Sequence, residues 1–300
     1  VTSWVNLLVQ GALLGGYYAL LACGLSFLFG VMRIINLAHG SLAVIAAYLL
    51  WVIAERWDVS PFMGILAVLP IMGAVGWVLH RTIFERSLKG GALIPVLSTF
   101  GLATVTDNVL FQVFGADTRS LAPYIDTFAY DSWHMPGDIY VGKLAALVLL
   151  LAVLLLLGLH LLLARTSLGR QIRAAAEDAD AAQLVGINAS RIYAIATAIA
   201  VMTVALAGMS LGMRAIFDPY SGSQQLVFAF ESVVIGGAGS LWGTLVGGMI
   251  LGISQSIGAQ ISPQGFLIAG HVVFLVVLVA RIYASDKVSS ALRKLRTQPG

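Results

Sequence analysis

Long apolar runs fill most of this chain, and the short polar stretches that divide them fall where a helical protein crossing a membrane several times would turn. The runs lie at 5–29, 41–54, 62–80, 93–114, 142–164, 192–212, 226–235, 241–257 and 266–282. Every backbone N–H and C=O in hydrocarbon needs a partner inside the protein, which permits helices and excludes isolated strands. The pattern therefore predicts an all-α, polytopic transmembrane helical bundle of about 8–10 spans. It also predicts broken helices and one surface helix. The first run has no basic region before it and no cleavage site after it, so it is expected to be a retained span.

Two runs are interrupted. GVMRIINLAHGSL, residues 30–42, sets Arg33, Asn36, His39 and Gly40 in an apolar context, and GGAGSLWG, residues 236–243, puts Gly236, Gly237 and Gly239 between two short apolar pieces. Transporters use such interruptions to bring irregular backbone to a translocation path, because freed amides and carbonyls cannot face lipid. Gly40, Ser41 and Leu42 repeat as Gly239, Ser240 and Leu241. This is compatible with two related halves and equally with convergence on glycine, which lets membrane helices pack closely.

The stretch 165–191, RTSLGRQIRAAAEDADAAQLVGINASR, is polar but patterned. Leu168, Ile172, Ala175, Ala179, Ala182 and Gly186 recur at three- and four-residue steps, while Arg170, Arg173, Glu177 and Asp180 fall mostly elsewhere. That period predicts one amphipathic helix, capped by Thr166 or Ser167 and ended by Gly186 with Asn188. Its shallow stripe of small residues suits docking by another protein. Amphipathicity alone fits equally a connecting helix resting on the bilayer.

Charge orients the bundle. Arg81, Arg86 and Lys89 share a loop, Arg165, Arg170, Arg173 and Arg191 another, and Arg281, Lys287, Arg293, Lys294 and Arg296 the C-terminal region, together twelve of the 17 Lys and Arg residues. The positive-inside rule puts these regions, including 166–190 and the tail 284–300, in the cytoplasm. The loop 116–141, with Asp117, Asp126, Asp131, Asp138, Tyr124, Tyr130 and Trp133, then faces outside, as does the N-terminus.

Composition narrows the chemistry. Hydrophobic residues make up 59% of the chain and charged ones 10%, against roughly one quarter charged in soluble domains. A net charge of +3 without basic patches interleaved with exposed aromatics gives no sign of nucleic-acid binding. Cys23 is the only cysteine and is expected to pack in the core. No HExxH, GxSxG or GxxxxGK[ST] motif occurs, so the sequence encodes no catalytic centre, metal site or cofactor site, and ATP, if used, binds another subunit. A charged group at membrane depth costs about 3 kcal/mol even on the mildest scale, so Asp107 and Glu231 should face protein or water. The expected path residues are Asn36, His39, Gly40, Glu231, Gly236, Gly237 and Gly239, with Asp107 in the outer half and Glu231 ordering the second break. His271 is expected near the external interface.

FGVMRIINLAHGSLAVIAAY (29–48), LGRQIRAAAEDADAAQLVGINASRIYAIATAIA (168–200) and ESVVIGGAGSLWGTLVGGMILGI (231–253) resemble, in order, three blocks of the LivH-type permease subunits of branched-chain amino acid ABC transporters. The resemblance implies a multi-pass permease of the bacterial inner membrane, paired with a LivM-like second permease, two cytoplasmic ATPase subunits and an external solute-binding protein. It assigns 166–190 as the coupling segment, with Asp180, Ala181 and Ala182 where the family's Glu-Ala-Ala triplet stands and Gly186 at its glycine. Related permeases for urea, short amides or aromatic acids remain compatible, and a stand-alone secondary transporter is the competing class. Coupled uptake would be alternating access with no chemistry on the solute.

Overall fold

A computed structural model describes the backbone of residues 2–91, 93–136 and 139–296 and the side chains of residues 4–91, 93–136 and 139–284. Its helices are α1 (Thr2–Met32), α2 (His39–Trp57), α3 (Pro61–Leu79), which continues through a π-helical turn (His80–Phe84) into α4 (Glu85–Ser87), α5 (Leu93–Phe114), α6 (Lys143–Arg165), α7 (Ser167–Glu177), α8 (Ala179–Leu184), α9 (Ala189–Arg214), α10 (Ser221–Gly236), α11 (Leu241–Ile261) and α12 (Gly265–Arg296). Among the described residues, 8 helical segments are long and apolar enough to cross a membrane. They comprise α1, α2, α3 with its extension, α5, α6, α9, α11 and most of α12. The ninth apolar run forms α10, whose 16 residues fall short of that length. Asp138 and the side chains of Lys287, Arg293, Lys294 and Arg296, on which the sequence-based orientation partly rests, lie outside the described residues, as do nearly all side chains of the expected tail 284–300.

α1 is the central helix and packs against α6, α9, α10 and α11. Glycine decides this packing, because helices in lipid gain nothing hydrophobic by meeting and associate through close backbone contact instead. Gly11 and Gly15 of α1 face Gly252 and Gly248 of α11 so closely that a Cβ on Gly15 would overlap the Met249 backbone.

The two ends of the bundle differ. At one end the last turns of α1 share a buried cluster with Phe84, Ile172, Ala175 and Ile192. Arg81 there donates to Ser190 Oγ (3.0 Å) and Ser190 to Glu85 (2.7 Å). This basic end gathers the start of α9, α7 and Arg281, which donates to the Ile235 carbonyl (2.9 Å). At the other end, β1 (Ser132–Met135) and β2 (Ile139–Gly142) pair antiparallel, and the Tyr140 amide donates to Asn6 Oδ1 (3.1 Å). The chain enters α1 at this hairpin end, leaves it at the basic end, and α12 turns from α11 near Gly258 and Gly265 back toward Gly237.

The all-α, polytopic transmembrane bundle is as the sequence predicts, and three details differ from the expectations. The loop 116–141 carries a 3₁₀ helix (Ala122–Ala129) and nearly all of the short β-hairpin. Polar groups outside the apolar runs have water for partners, which removes the constraint that forbids strands in lipid. Next, α10 begins at Ser221, five residues before the apolar run, because one side of its polar first turns is buried: Gly222 packs on Gly40, and Tyr17 donates to the buried Gln225 Oε1 (2.6 Å). Last, the expected single helix of 168–186 is two helices. The chain breaks at Asp178 (φ −151°, ψ 107°), whose Oδ1 accepts from the amides of Asp180 (3.0 Å) and Ala181 (2.9 Å) and caps α8.

Candidate substrate path and coupling face

The first interruption makes α2 a helix that starts inside the bundle. Past Met32 the chain turns at Arg33 (φ 54°) and returns along α1 in extended form until His39 Nε2 meets the Leu21 carbonyl (2.7 Å). Leu21 lies eleven residues before the end of α1, so α2 begins roughly 16 Å into the bundle at the helical rise per residue. Asn36 Oδ1 accepts from the Ala38 amide (3.0 Å), and Thr99 Oγ1 of α5 accepts from the Leu37 amide (3.1 Å). These bonds satisfy backbone freed by the break. Burial alternates along the segment. Ile34, Asn36 and Ala38 turn into protein, while Ile35 and Leu37 turn the other way, toward a cavity.

The far end of this break, at Gly40, packs on the start of α10, while its near end, at Gly30, abuts the glycine turn at Gly239. Gly40 meets Gly222 so closely that a Cβ on Gly40 would overlap the Gly222 carbonyl. The start of α2 thus meets the start of α10 at mid-bundle. The Gly-Ser-Leu triplets, by contrast, are not equivalent: Gly40 to Leu42 lie in the first turn of α2, whereas Ser240 is the N-cap of α11 and accepts from the Gly243 amide (3.1 Å) at the basic end. A three-residue match fixed neither depth nor direction.

A cavity of about 350 Å³ lies between the extended segment, α5, α10 and α12. Ile35, Leu37, Val96, Leu226, Val227, Phe230 and Phe274 line it together with Glu231. Glu231 Oε1 is 2.5 Å from His271 Nδ1 on α12, and Oε2 is buried without a hydrogen-bond partner. His271 is therefore held at a buried carboxylate rather than standing free at an outer interface. A charge at membrane depth needs a partner, and α12 supplies it.

Of the other expected path residues, Asn36 and His39 support the wall from behind, with Asn36 Nδ2 buried and unpartnered. Gly236, Gly237 and Gly239 form a tight turn at the basic end, where Gly236 abuts Gly243, Gly239 abuts Gly30 and Arg281 covers Gly237. Arg281, and not Glu231, is the side chain that reaches this turn. Asp107 lies about three helical turns beyond Val96 along α5 and faces Ser41, with Oδ1 buried and unpartnered.

In the coupling segment Thr166 caps α7 by accepting from the Gly169 amide (2.9 Å), and Gly186 (φ 84°) ends α8. Asn188 caps α9 through the Arg191 amide (2.9 Å) instead of closing α8. Most of the small-residue stripe is covered by this chain itself: Ile172, Ala175 and Ala182 are buried, and Leu168 and Ala179 pack at the edge of the cluster that holds Ile172 and Ala175, while Gly186 is exposed. Leu184 (89% exposed) and Val185 (76%) project beside a groove whose lining includes Leu168 and Gly186 of the stripe together with Gln171, Asn188 and Arg191. Amphipathic periodicity identifies a buried face but does not say whose chain buries it.

The profile of the family described as "Branched-chain amino acid transport system / permease component" matches residues 7–282. The chain belongs to this family. The permease is 29% identical to the high-affinity branched-chain amino acid transport system permease protein BraD of Pseudomonas aeruginosa, over 87% of this chain and 88% of that protein. It is 29% identical to LivH of Escherichia coli, over 83% of each. The probable branched-chain amino acid transport permease protein LivH of Methanocaldococcus jannaschii is 26% identical over 92% of this chain and 90% of that protein. The matched region of the permease contains both interruptions, the α7–α8 pair and the cavity, so the family profile spans nearly the whole membrane bundle.

Sequence reasoning missed three groups at these places. The pairings of His271 and Gly222 carry no local signal, because each is made with a residue 40 or more positions away. Arg281 was read only as a topological charge. Its position one residue before the end of an apolar run was the available hint that it could reach back into the bundle.

Proposed function

We propose that this permease is the membrane-spanning subunit of an ATP-binding-cassette importer in the inner membrane, moving branched-chain or other hydrophobic amino acids handed over by an external binding protein. The observation that carries the reading is the family match over residues 7–282, with relatives named for branched-chain amino acids along nearly their full length. The apolar cavity with a single carboxylate supports it, since an aliphatic side chain fits such walls and a solute of many hydroxyls would lose its hydrogen bonds there.

In this reading a second permease, LivM-like, completes the path, and two cytoplasmic ATPase subunits dock on α7 and α8. The permease itself performs no chemistry. A cavity of about 90 Å³ bounded by Gly30, Val31, Ile172, Arg173, Ala176 and Gly239 puts α7 directly against the end of α1 and the glycine turn. A push on α7 would therefore reach α1 and the α10–α11 hairpin together and tilt them as a rigid body, alternately opening the two sides. The test is uptake of labelled leucine by proteoliposomes holding the full importer, with leucine, urea and an aromatic acid as competitors. ATP-dependent uptake blocked only by hydrophobic amino acids is expected. Preferential block by urea or the aromatic acid would assign one of the related solutes, and ion-driven uptake by this chain alone would assign a stand-alone transporter.

A further inference from the structure

We infer that Arg214 takes the carboxylate of the solute as it enters from the hairpin end, with the ring of Tyr17 holding the guanidinium in place. The inference rests on the importer reading above and deepens it by naming which end of the amino acid the permease holds.

Arg214 is the last residue of α9, and its guanidinium carbon lies 4.4 Å from the centroid of the Tyr17 ring on α1. The depth of this contact sets it apart from a surface pair. Tyr17 stands fifteen residues before the end of α1 at Met32 and seven after Gln10, which donates to the Tyr140 carbonyl of the hairpin. At the helical rise per residue that is about 22 Å from the basic end and about 10 Å below the hairpin contact, so the cation lies at membrane depth. A charge there faces protein or water. Protein does not enclose this one: Arg214 is exposed, whereas Tyr17 beneath it is 4% exposed. Its open side therefore faces water. The start of α10 agrees, since Ser223 and Gln224 are exposed where that helix begins at mid-bundle.

The guanidinium is also left without an acceptor. Among the described residues Arg214 makes no hydrogen bond and no ion pair, although the group has five N–H donors in one plane. Asp218, the nearest acid along the chain, is turned to backbone, with Oδ1 accepting from the Tyr220 amide (2.7 Å). The donors are thus free for a ligand, and a carboxylate is the acceptor that a guanidinium meets with two parallel bonds. An amine lacking the carboxylate would be repelled, and a neutral amide such as urea has no charge to offer. Tyr17 is a positioning residue in this scheme. Its hydroxyl donates to Gln225 Oε1 (2.6 Å) on α10, so the cation is held where α1, α9 and α10 meet.

The experiment uses the full importer in phosphatidylcholine proteoliposomes with a diazirine analogue of leucine as photolabel, mapped by peptide on this chain. Competitors are 4-methylpentanoate and isopentylamine, at concentrations that leave label on the binding protein unchanged. Label is expected in 10–18 and 214–225, with protection by 4-methylpentanoate and none by isopentylamine. Arg214→Gln should lower this label by roughly ten- to a hundredfold, the equivalent of one charge-assisted hydrogen bond, and Arg214→Lys, which keeps the charge but loses the fork, should fall between. Tyr17→Leu should lower it by about two- to thirtyfold through loss of the cation–π contact, and Tyr17→Phe, which keeps the ring, should restore it. Absence of label from both segments, equal protection by the two competitors, or undiminished label in Arg214→Gln would each overturn the inference. So would loss of label when phosphatidylglycerol replaces part of the phosphatidylcholine, which would mark Arg214 as a contact for lipid headgroups. The competition uses the unsubstituted chain and decides even if the variants fail to assemble. If the same vesicles import leucine while any of these occurs, the carboxylate site fails alone. If they import urea but not leucine, the reading of function fails and takes this inference with it.

Discussion

Gly40→Ala should unfasten the mid-bundle junction between α2 and α10. The added methyl would fall on the Gly222 carbonyl oxygen and carbon, with the Leu226 amide nitrogen 3.0 Å away, and all three are backbone atoms that no rotamer change can move. Inserting a methyl into a packed core usually costs about 1–3 kcal/mol, and neighbours that can rotate away account for the lower part of that range. Here the helix starts themselves must separate, so the expected loss is about 3 kcal/mol or more. The proper comparison is Gly101→Ala in the middle of α5, where a Cβ meets nothing within 4 Å. Alanine there should stabilise the helix by about 0.5–1 kcal/mol. The two variants are the same chemical change in helices of the same bundle, so their difference isolates the contact. Denaturant titration of the purified permease in detergent, followed by leucine uptake for both, is the assay. Equal stabilities within about 0.5 kcal/mol would show that α2 and α10 do not meet as described.

Three further outcomes are expected. Leu184→Asp with Val185→Asp changes two exposed apolar side chains, so insertion and stability should hold while solute-stimulated ATP hydrolysis falls by about tenfold or more, the loss of one interface anchor. Unchanged stimulation would move the ATPase contact elsewhere. Ala182→Leu, at a buried position, should instead destabilise the chain by about 1–3 kcal/mol, visible as reduced yield. For topology, Tyr130→Cys should react with an impermeant thiol reagent from outside and Gln183→Cys only after permeabilisation, with Cys23 silent because it is buried. The reverse pattern would invert the orientation. Finally, Gly237→Ala forces a side chain to φ 100° and should cost about 1–3 kcal/mol of strain, which a thermal melt of the purified permease would detect.

The sequence by itself determined eight of its nine apolar runs as spans, the basic end and the opposite, polar-loop end, and the fact that the chain breaks near 33–38 and 236–240. These are local consequences of physics: lipid demands a continuous apolar helix, lysine and arginine stay on one side, and glycine or an Asn-His pair in an apolar run signals backbone that must be satisfied otherwise. Thr166 as a cap and Gly186 as a stop are legible for the same reason, since each acts on neighbours three or four residues away. What only the tertiary structure decided is which surfaces meet. His271 finds Glu231 across 40 residues, Gly40 finds Gly222, and Ile172, Ala175 and Ala182 of the stripe are covered by this chain. Periodicity marks a face as apolar or small. It carries no record of the depth at which a helix begins or of the helix that will lie against it, and in lipid, where every outer surface is already apolar, hydrophobicity cannot choose among faces, so close backbone contact and the pairing of buried polar groups choose instead.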